Sequence, residues 1–344
     1  MPQDLATATS GFDKLESDWE SLHKKPPGTL FHYTTAAGLL GIVEKAKLWA
    51  THFEYLNDPS EGRYAQELVA RVLAEAKKAY EAKSEAPKEI KAGGGIIGFV
   101  GQMITRVITK PRVADAITGK LSILDQHGGA YIACFCRNGD LLSQWRGYGG
   151  SGDGYALGFK PAILSSVGGG KVRLRRVIYD PRKQEALIKG WVQQLFDLQE
   201  TAVNEGLEII KAKPAGGTLQ DMMRQFRART DAAKQAAASL DTALERFGRF
   251  IAECLVSFKN PSYREEAEWR LIVFGKEAGQ IKYRAKEGNL IPYVELDLMA
   301  PSGNSPVNKV SFGPTLEPRV TERALRMVLG EQVGIQRSKI PFRG

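Results

Sequence analysis

The chain has 344 residues, 43% of them hydrophobic and 25% charged, so it is long enough to bury a real core and is composed like a soluble globular protein. A net charge of +9 and an isoelectric point near 9.3 suit an anionic partner such as a dinucleotide or a nucleic acid, and suit equally a lysine-rich solubilising surface. The acidic, polar start "MPQDLATATSGFDKLESDWE" excludes a signal peptide, and the most apolar glycine-rich run, "AGGGIIGFVGQMI", is too short to span a bilayer.

In chain order, residues 1–27 read as an N-terminal helical arm broken by the prolines of "KKPPG". "GTLFHYTT" reads as a strand rich in aromatic and β-branched residues. From Ala36, the apolar residues Leu39, Leu40, Ile42, Val43 and Leu48 recur at helical steps, and "KLWATHF" follows as a short strand. Asp58-Pro59-Ser60-Glu61 has the acid, proline and glutamate of a capped helix start. That role explains Asp58 and Glu61 fully. Residues 84–126 form an insert with a glycine-rich apolar patch at 92–104, for which a lid, a partner-facing surface and a plain helical insertion stay open.

"GAYIACFC" is a strand that should send Cys134 and Cys136 to one face as core thiols. With Cys254 they make three cysteines, and no zinc or disulfide framework is recognisable, as in a reduced, cytoplasmic protein. "NGDLLSQWRGYGG" reads as a loop and helix, "GDGYALGF" as a strand and "KVRLRRVIYD" as a sheet edge. Residues 181–259 are helical in pattern apart from "KPAGGT", with "RQFRARTDAAKQAAASLDTALERF" expected as a solvated excursion. "EWRLIVF", "IPYVELDL" and "KVSFGP" return to strands before a last helix at "TERALRMVLGEQV". The expected class is α+β, with large helical insertions at about 60–126 and 181–259. Neither "GGSGDGYALGF" nor Gly168–Gly170 has the setting of a dinucleotide fingerprint or a phosphate-binding loop.

Three stretches gather polar and aromatic groups: "FHYTT", "CFCRNGDLLSQWRGY" and "SYREEAEWRLIVF". His32 and Thr34 alternate with Tyr33 and so share a strand face. Trp145 and Tyr148 lie one helical turn apart, and Glu266 and Glu268 share a strand face before an apolar run. Singly, these are a satisfied histidine, core aromatics and a solvent-facing strand end. Together they would make a pocket for a sugar nucleotide: hydroxyls and imidazole for ribose, aromatics for a flat base, and a carboxylate for a developing cation.

In this order, the three stretches resemble the signature motifs of the ADP-ribosyltransferase superfamily, and the first, "HYTT" with the helix after it, is especially similar to that of bacterial ADP-ribosyltransferases that modify DNA and of RNA 2′-phosphotransferases. More broadly, the chain looks like a bacterial family of uncharacterised domains. The shared features are "HYT" at His32–Thr34, "LNDPxE" at Leu56–Glu61, "W-x-x-Y" at Trp145–Tyr148, "ExEWR" at Glu266–Arg270 and "S-x-I-P-[FY]-R" at Ser338–Arg343. The resemblance implies a split mixed and antiparallel sheet core in one domain over 28–344, with the helical stretches as insertions.

It also implies NAD as a substrate, no metal, and cleavage of the nicotinamide–ribose bond through an oxocarbenium-like transition state. Glu268 would be the catalytic carboxylate, and Glu266 would orient or deprotonate the acceptor. His32 would hold the adenosine ribose with Thr34 in support, and Tyr33 would be among the residues that bind NAD. Ser143 and an aromatic (Trp145, Tyr148 or Tyr155) would meet the nicotinamide, and Arg146 or Arg270 would pair with the pyrophosphate. The acceptor stays open between nucleic acid, another molecule and water, the last making an NAD glycohydrolase. The resemblance implies a toxin or phage-defence setting. The rival expectation is a catalytically inactive, transferase-like fold that binds nucleic acid, or a protein partner through its helical insertions.

Overall fold

The structure is a computed structural model and describes residues 3–24, 26, 28–56, 60–83, 129–148, 154–211, 218–275, 280–286, 288–298 and 305–341. Asn57, Asp58, Pro59 and the glycine-rich insert lie outside the described residues. The architecture is α+β, as expected, and the chain divides into two compact units. A helical unit gathers Met1–Ser21, Gln66–Ile123 and Arg182–Leu255, and a sheet unit gathers Leu22–Ala65, Leu124–Pro181 and Val256–Gly344.

The strands run in chain order as β1 (Leu30–Thr34), β2 (Lys47–His52), β3 (Ala130–Phe135), β4 (Tyr155–Phe159), β5 (Arg173–Arg176), β6 (Trp269–Phe274), β7 (Lys282–Lys286), β8 (Asn289–Asp297), β9 (Val307–Phe312) and β10 (Gly334–Arg337). They form a four-stranded sheet, β1-β4-β9-β10, and a six-stranded sheet, β5-β6-β3-β2-β8-β7. Every pairing is antiparallel except β9 with β10. A parallel neighbour needs a crossover, and the helix Pro318–Leu329 supplies it, capped at Glu317, whose carboxylate accepts from Val320 N.

Period-two alternation splits the six-stranded sheet into two faces. Leu48 and Ala50, Tyr131, Ala133 and Phe135, Trp269, Leu271 and Val273, and Val294 and Leu296 all join one buried cluster with Leu157, Phe159, Val310 and Phe312 of the other sheet. Cross-strand partners share a face, so the opposite face carries Cys134, Arg270 and Arg175, and further along Ile132, Thr51 and Tyr293. That second face holds the polar chemistry.

Two strands were not legible. β7, "KYRAK", is nearly all exposed at the sheet edge, so no apolar alternation marks it. β10, "GIQR", is only half-buried.

In the helical unit, α1 (Gln3–Leu22) belongs with the helices Pro181–Lys211 and Leu219–Ser257 over most of their lengths. The expected solvated excursion is corrected at its C-terminal end. Leu240, Ala243, Leu244 and Phe247 are buried at three- and four-residue steps, as a core-facing helical stripe requires. Trp191 is stacked on Phe250 at 4.6 Å, with Phe12 tilted against it at 5.7 Å. Trp19 meets Phe250 edge-on and donates its indole N–H to Glu253 Oε2 at 2.7 Å. Because Trp191 is 2% exposed, truncating it leaves a large cavity. Trp191→Ala should lose about 3–5 kcal/mol, read as a shifted midpoint in chemical denaturation followed by circular dichroism.

Candidate functional site

A cavity of about 390 Å³ opens in the sheet unit. Phe31 and Tyr33 reach it from β1, and Cys134 and Cys136 from β3 and its exit. Ser143, Gln144, Gly147 and Tyr148 reach it from the helix Leu142–Tyr148. Lys259, Tyr263, Glu266 and Glu268 come from the chain between the long helix Leu219–Ser257 and β6, and Arg270 from β6 itself. The cavity wall is thus built where β1 and β3 meet, through the paired backbone bonds of Phe31 and Cys136, both 2.8 Å.

Glu268 is the centre of the site and is 3% exposed. Its Oε1 accepts from Arg270 Nε at 2.8 Å, and its Oε2 accepts from Arg270 Nη2 at 3.0 Å and Lys259 Nζ at 3.1 Å. Lys259 Nζ also donates to Glu266 Oε2 at 2.6 Å and lies 4.8 Å from the Tyr263 ring centre. Arg270 Nη1 donates to the Val256 carbonyl at 2.7 Å. Burial alone would raise the Glu268 pKa. The charges of Arg270 and Lys259, with hydrogen bonds from Arg270 and the Cys134 thiol, overcome it and lower the pKa to about 2. Glu268 is therefore a fixed anion and a poor proton acceptor. Burial first, then the Cys134 and Glu268 charges, pushes the Tyr148 phenol well above its ordinary value.

The expected strand pair Glu266 and Glu268 is corrected in its backbone. Glu266 ends the 3-10 turn Pro261–Glu266, and Ala267 is left-handed at φ 43. This is a conformation that β-carbon residues seldom adopt. The kink turns both carboxylates onto the same lysine.

Tyr33, Ser143, Tyr148, Glu266, Glu268 and Arg270 of the expected site line the cavity. His32, Thr34, Trp145 and Arg146 are absent from its described lining. His32 points away from Tyr33 by strand alternation, and its Nδ1 lies 2.9 Å from the Cys134 carbonyl. Burial lowers its pKa, partly offset by that hydrogen bond, and the Arg284 charge lowers it further. Thr34 sits with its hydroxyl against Gly38, where a β-carbon would collide with it. Trp145 is fully buried, edge-on to Tyr33 at 4.9 Å, and donates its indole N–H to Asp140 Oδ1 at 2.8 Å. Arg146 is exposed. Tyr155 packs against the main core. Tyr148 is thus the one of the three candidate aromatics that faces the cavity.

Sequence reasoning missed Lys259 and Asp140. Lys259 follows the end of the long helix Leu219–Ser257, and "SFKNP" carries no motif; its one signal is the buried Phe258 beside it. Asp140 accepts from Trp145, from Ser338 Oγ and, through Oδ2, from Lys339 N at 2.9 Å. The Tyr33 hydroxyl braces the same loop, donating to the Asn138 carbonyl at 3.0 Å and accepting from Leu141 N at 2.9 Å. The two cysteines share a face as alternation requires, and that face lines the cavity.

No helix among the described residues is long and apolar enough to cross a membrane. No group of three or more His, Cys, Asp or Glu among them is arranged to hold a metal ion. The fold and site define an α+β protein with a buried acid–base cluster at the wall of an aromatic-lined cavity. Residues 144–271, a little over a third of the chain, match the model of a family described as a protein of unknown function (DUF2971). The match takes in Tyr148, Lys259, Glu268 and Arg270 and leaves out β1. No curated protein and no solved structure matches the chain.

Because the Glu268 pKa is lower folded than its ordinary 4.5, its stabilising contribution is complete above pH 4.5 and is lost as pH falls toward 2. Acid titration of the melting temperature should show this loss, on the order of 3 kcal/mol, and Glu268→Gln should remove that portion of the pH dependence. Asp140→Ala strands the Trp145 indole N–H and should cost about 1–3 kcal/mol. Denaturant unfolding of Asp140→Ala beside the wild type measures it.

Proposed function

We propose that the cavity binds NAD and that the protein cleaves its nicotinamide–ribose bond, passing the ADP-ribose to an acceptor. The observation that carries this reading is a convergence. Tyr33, Tyr148 with Ser143, and Glu268, from three segments each more than 100 residues from the next, line one cavity. Tyr148 offers its ring to the nicotinamide, and Ser143 offers a hydroxyl to the ribose. Nicotinamide departs with the bonding electron pair, positive charge develops on the ribose, and the fixed Glu268 anion accepts more strongly from the 2′-hydroxyl as it does so. The acceptor's nucleophile then adds to the anomeric carbon and its proton passes to Glu266, which lies at the cavity edge. His32 acts through the backbone by tying β1 to the Cys134 carbonyl. Water as the acceptor makes the protein an NAD glycohydrolase; the basic chain favours a nucleic-acid acceptor, and the resemblance to the transferases implies a toxin or phage-defence setting.

A second reading is favoured by the saturation of Glu268. Both its oxygens are engaged by Arg270 and Lys259, so the cavity is formally neutral and polar, which suits a module that binds a nucleotide, nucleic acid or protein partner without turning anything over.

NAD consumption by the purified protein, alone and with DNA, RNA or cell lysate, separates the two. The expected result is turnover that falls by about 10²-fold or more in Glu268→Gln. Because that substitution also takes the carboxylate from the buried Arg270 and leaves Lys259 with Glu266 alone, Tyr148→Ala is measured beside it, with an expected rise in KM. Binding of NAD by calorimetry without turnover selects the second reading, and neither binding nor turnover rejects both.

A further inference from the structure

Beyond the cavity, the face of the six-stranded sheet that carries Cys134 and Arg270 continues across β2, β8 and β7. Ile132, one strand step from Cys134 on that face, pairs with Thr51; Thr51 pairs with Tyr293, and Ile291 with Arg284. Four side chains there make an unusual group. Trp49 is 38% exposed, and its ring lies 4.4 Å from Tyr293 at an angle of 32°. The Arg284 guanidinium carbon sits 5.7 Å from the Trp49 ring centre, and Nη2 donates to Thr51 Oγ1 at 3.0 Å.

Arg284 makes no ion pair among the described residues, and its Nε is buried without a hydrogen-bond partner among them. The nearest acidic position on that face, Glu295, is already held by Lys47 and Lys282, each at 2.9 Å. A half-buried guanidinium with a bare N–H beside an open indole calls for an anion joined to a flat ring. An arginine fork suits phosphate oxygens, and an aromatic face stacks on any base. The shelf lies on the same face of the sheet as Cys134 and Arg270, which line the cavity.

We infer that the Trp49–Tyr293–Arg284–Thr51 shelf is a nucleotide subsite, with the Arg284 guanidinium taking the 5′-phosphate and Trp49 stacking on the base. The identity of the ligand as the adenosine 5′-phosphate half of a dinucleotide rests on the NAD reading; the recognition of a phosphorylated nucleoside does not. Tyr148 and Glu268 would then hold the nicotinamide-bearing half.

Calorimetric titration of the full chain with AMP, adenosine, inorganic phosphate and nicotinamide mononucleotide tests this, with Arg284→Gln and Trp49→Leu. AMP is expected to bind more tightly than adenosine or phosphate. Arg284→Gln should weaken AMP by roughly tenfold or more and bring it level with adenosine. Trp49→Leu should weaken AMP and adenosine alike. Photolabelling of the wild type with 8-azido-AMP supplies an arm free of substitutions, and labelled peptides should fall within residues 47–52 or 282–297.

The inference is overturned by undetectable AMP binding, by AMP affinity equal in all three proteins, or by label confined elsewhere. Arg284-dependent AMP binding in a protein that neither binds nicotinamide mononucleotide nor consumes NAD would keep the shelf and remove the NAD reading. NAD turnover with KM unchanged in Arg284→Gln and Trp49→Leu would do the reverse.

Discussion

The contact of Glu268 with Arg270 and Lys259 sets the geometry that the sheet unit must respect. A lone carboxylate that deep in protein would cost several kcal/mol of lost hydration, and each cation alone would cost as much. The cluster is tolerable only when assembled, so its parts fix one another. Arg270 binds the carbonyl of Val256, which holds the end of the long helix beside the start of β6. Lys259 then has no slack, and Glu266 is drawn to it across a left-handed Ala267. The strained backbone and the ion cluster are one feature seen from two sides.

The same constraint explains the division of labour across the six-stranded sheet. One face is aliphatic and aromatic, and it welds the two sheets into a core. The other carries the charges, the thiols and the open indole. A slip of one residue in any strand would exchange the two faces. The charged cluster and the apolar core therefore police the same register, from opposite sides.

Much of this was legible. Strands with strong alternation or long apolar runs, such as "YIACF" and "WRLIVF", announce themselves, and so does the helix from Ala36 by its apolar spacing, while its cap, the Thr35 hydroxyl accepting from Gly38 N at 3.3 Å, is seen only in the structure. The cavity was legible in outline because its aromatic and acidic residues sit on β1, on the short helix Leu142–Tyr148 and just ahead of β6, next to those strong elements. Its details were hidden for two reasons. Whether Tyr33 or His32 faces a cleft depends on which side of β1 the second sheet lies, and that is a tertiary fact. Lys259 and Asp140 act through residues that are distant in sequence, so no local pattern marks them. The exposed strand β7, which supplies Arg284, was invisible because an edge strand facing solvent has no hydrophobic period to display.

The carboxylate of Asp140 joins parts of the chain that a linear reading keeps apart. It holds the indole of Trp145 with one oxygen and grips the backbone at Lys339 with the other, while Ser338 leans on it as well. Trp145 stands one turn before Tyr148 on the same short helix. The segment around Ser338 is therefore a buttress for the cavity wall: chain severed ahead of it would leave the sheets intact and loosen the one helix whose tyrosine faces the cavity.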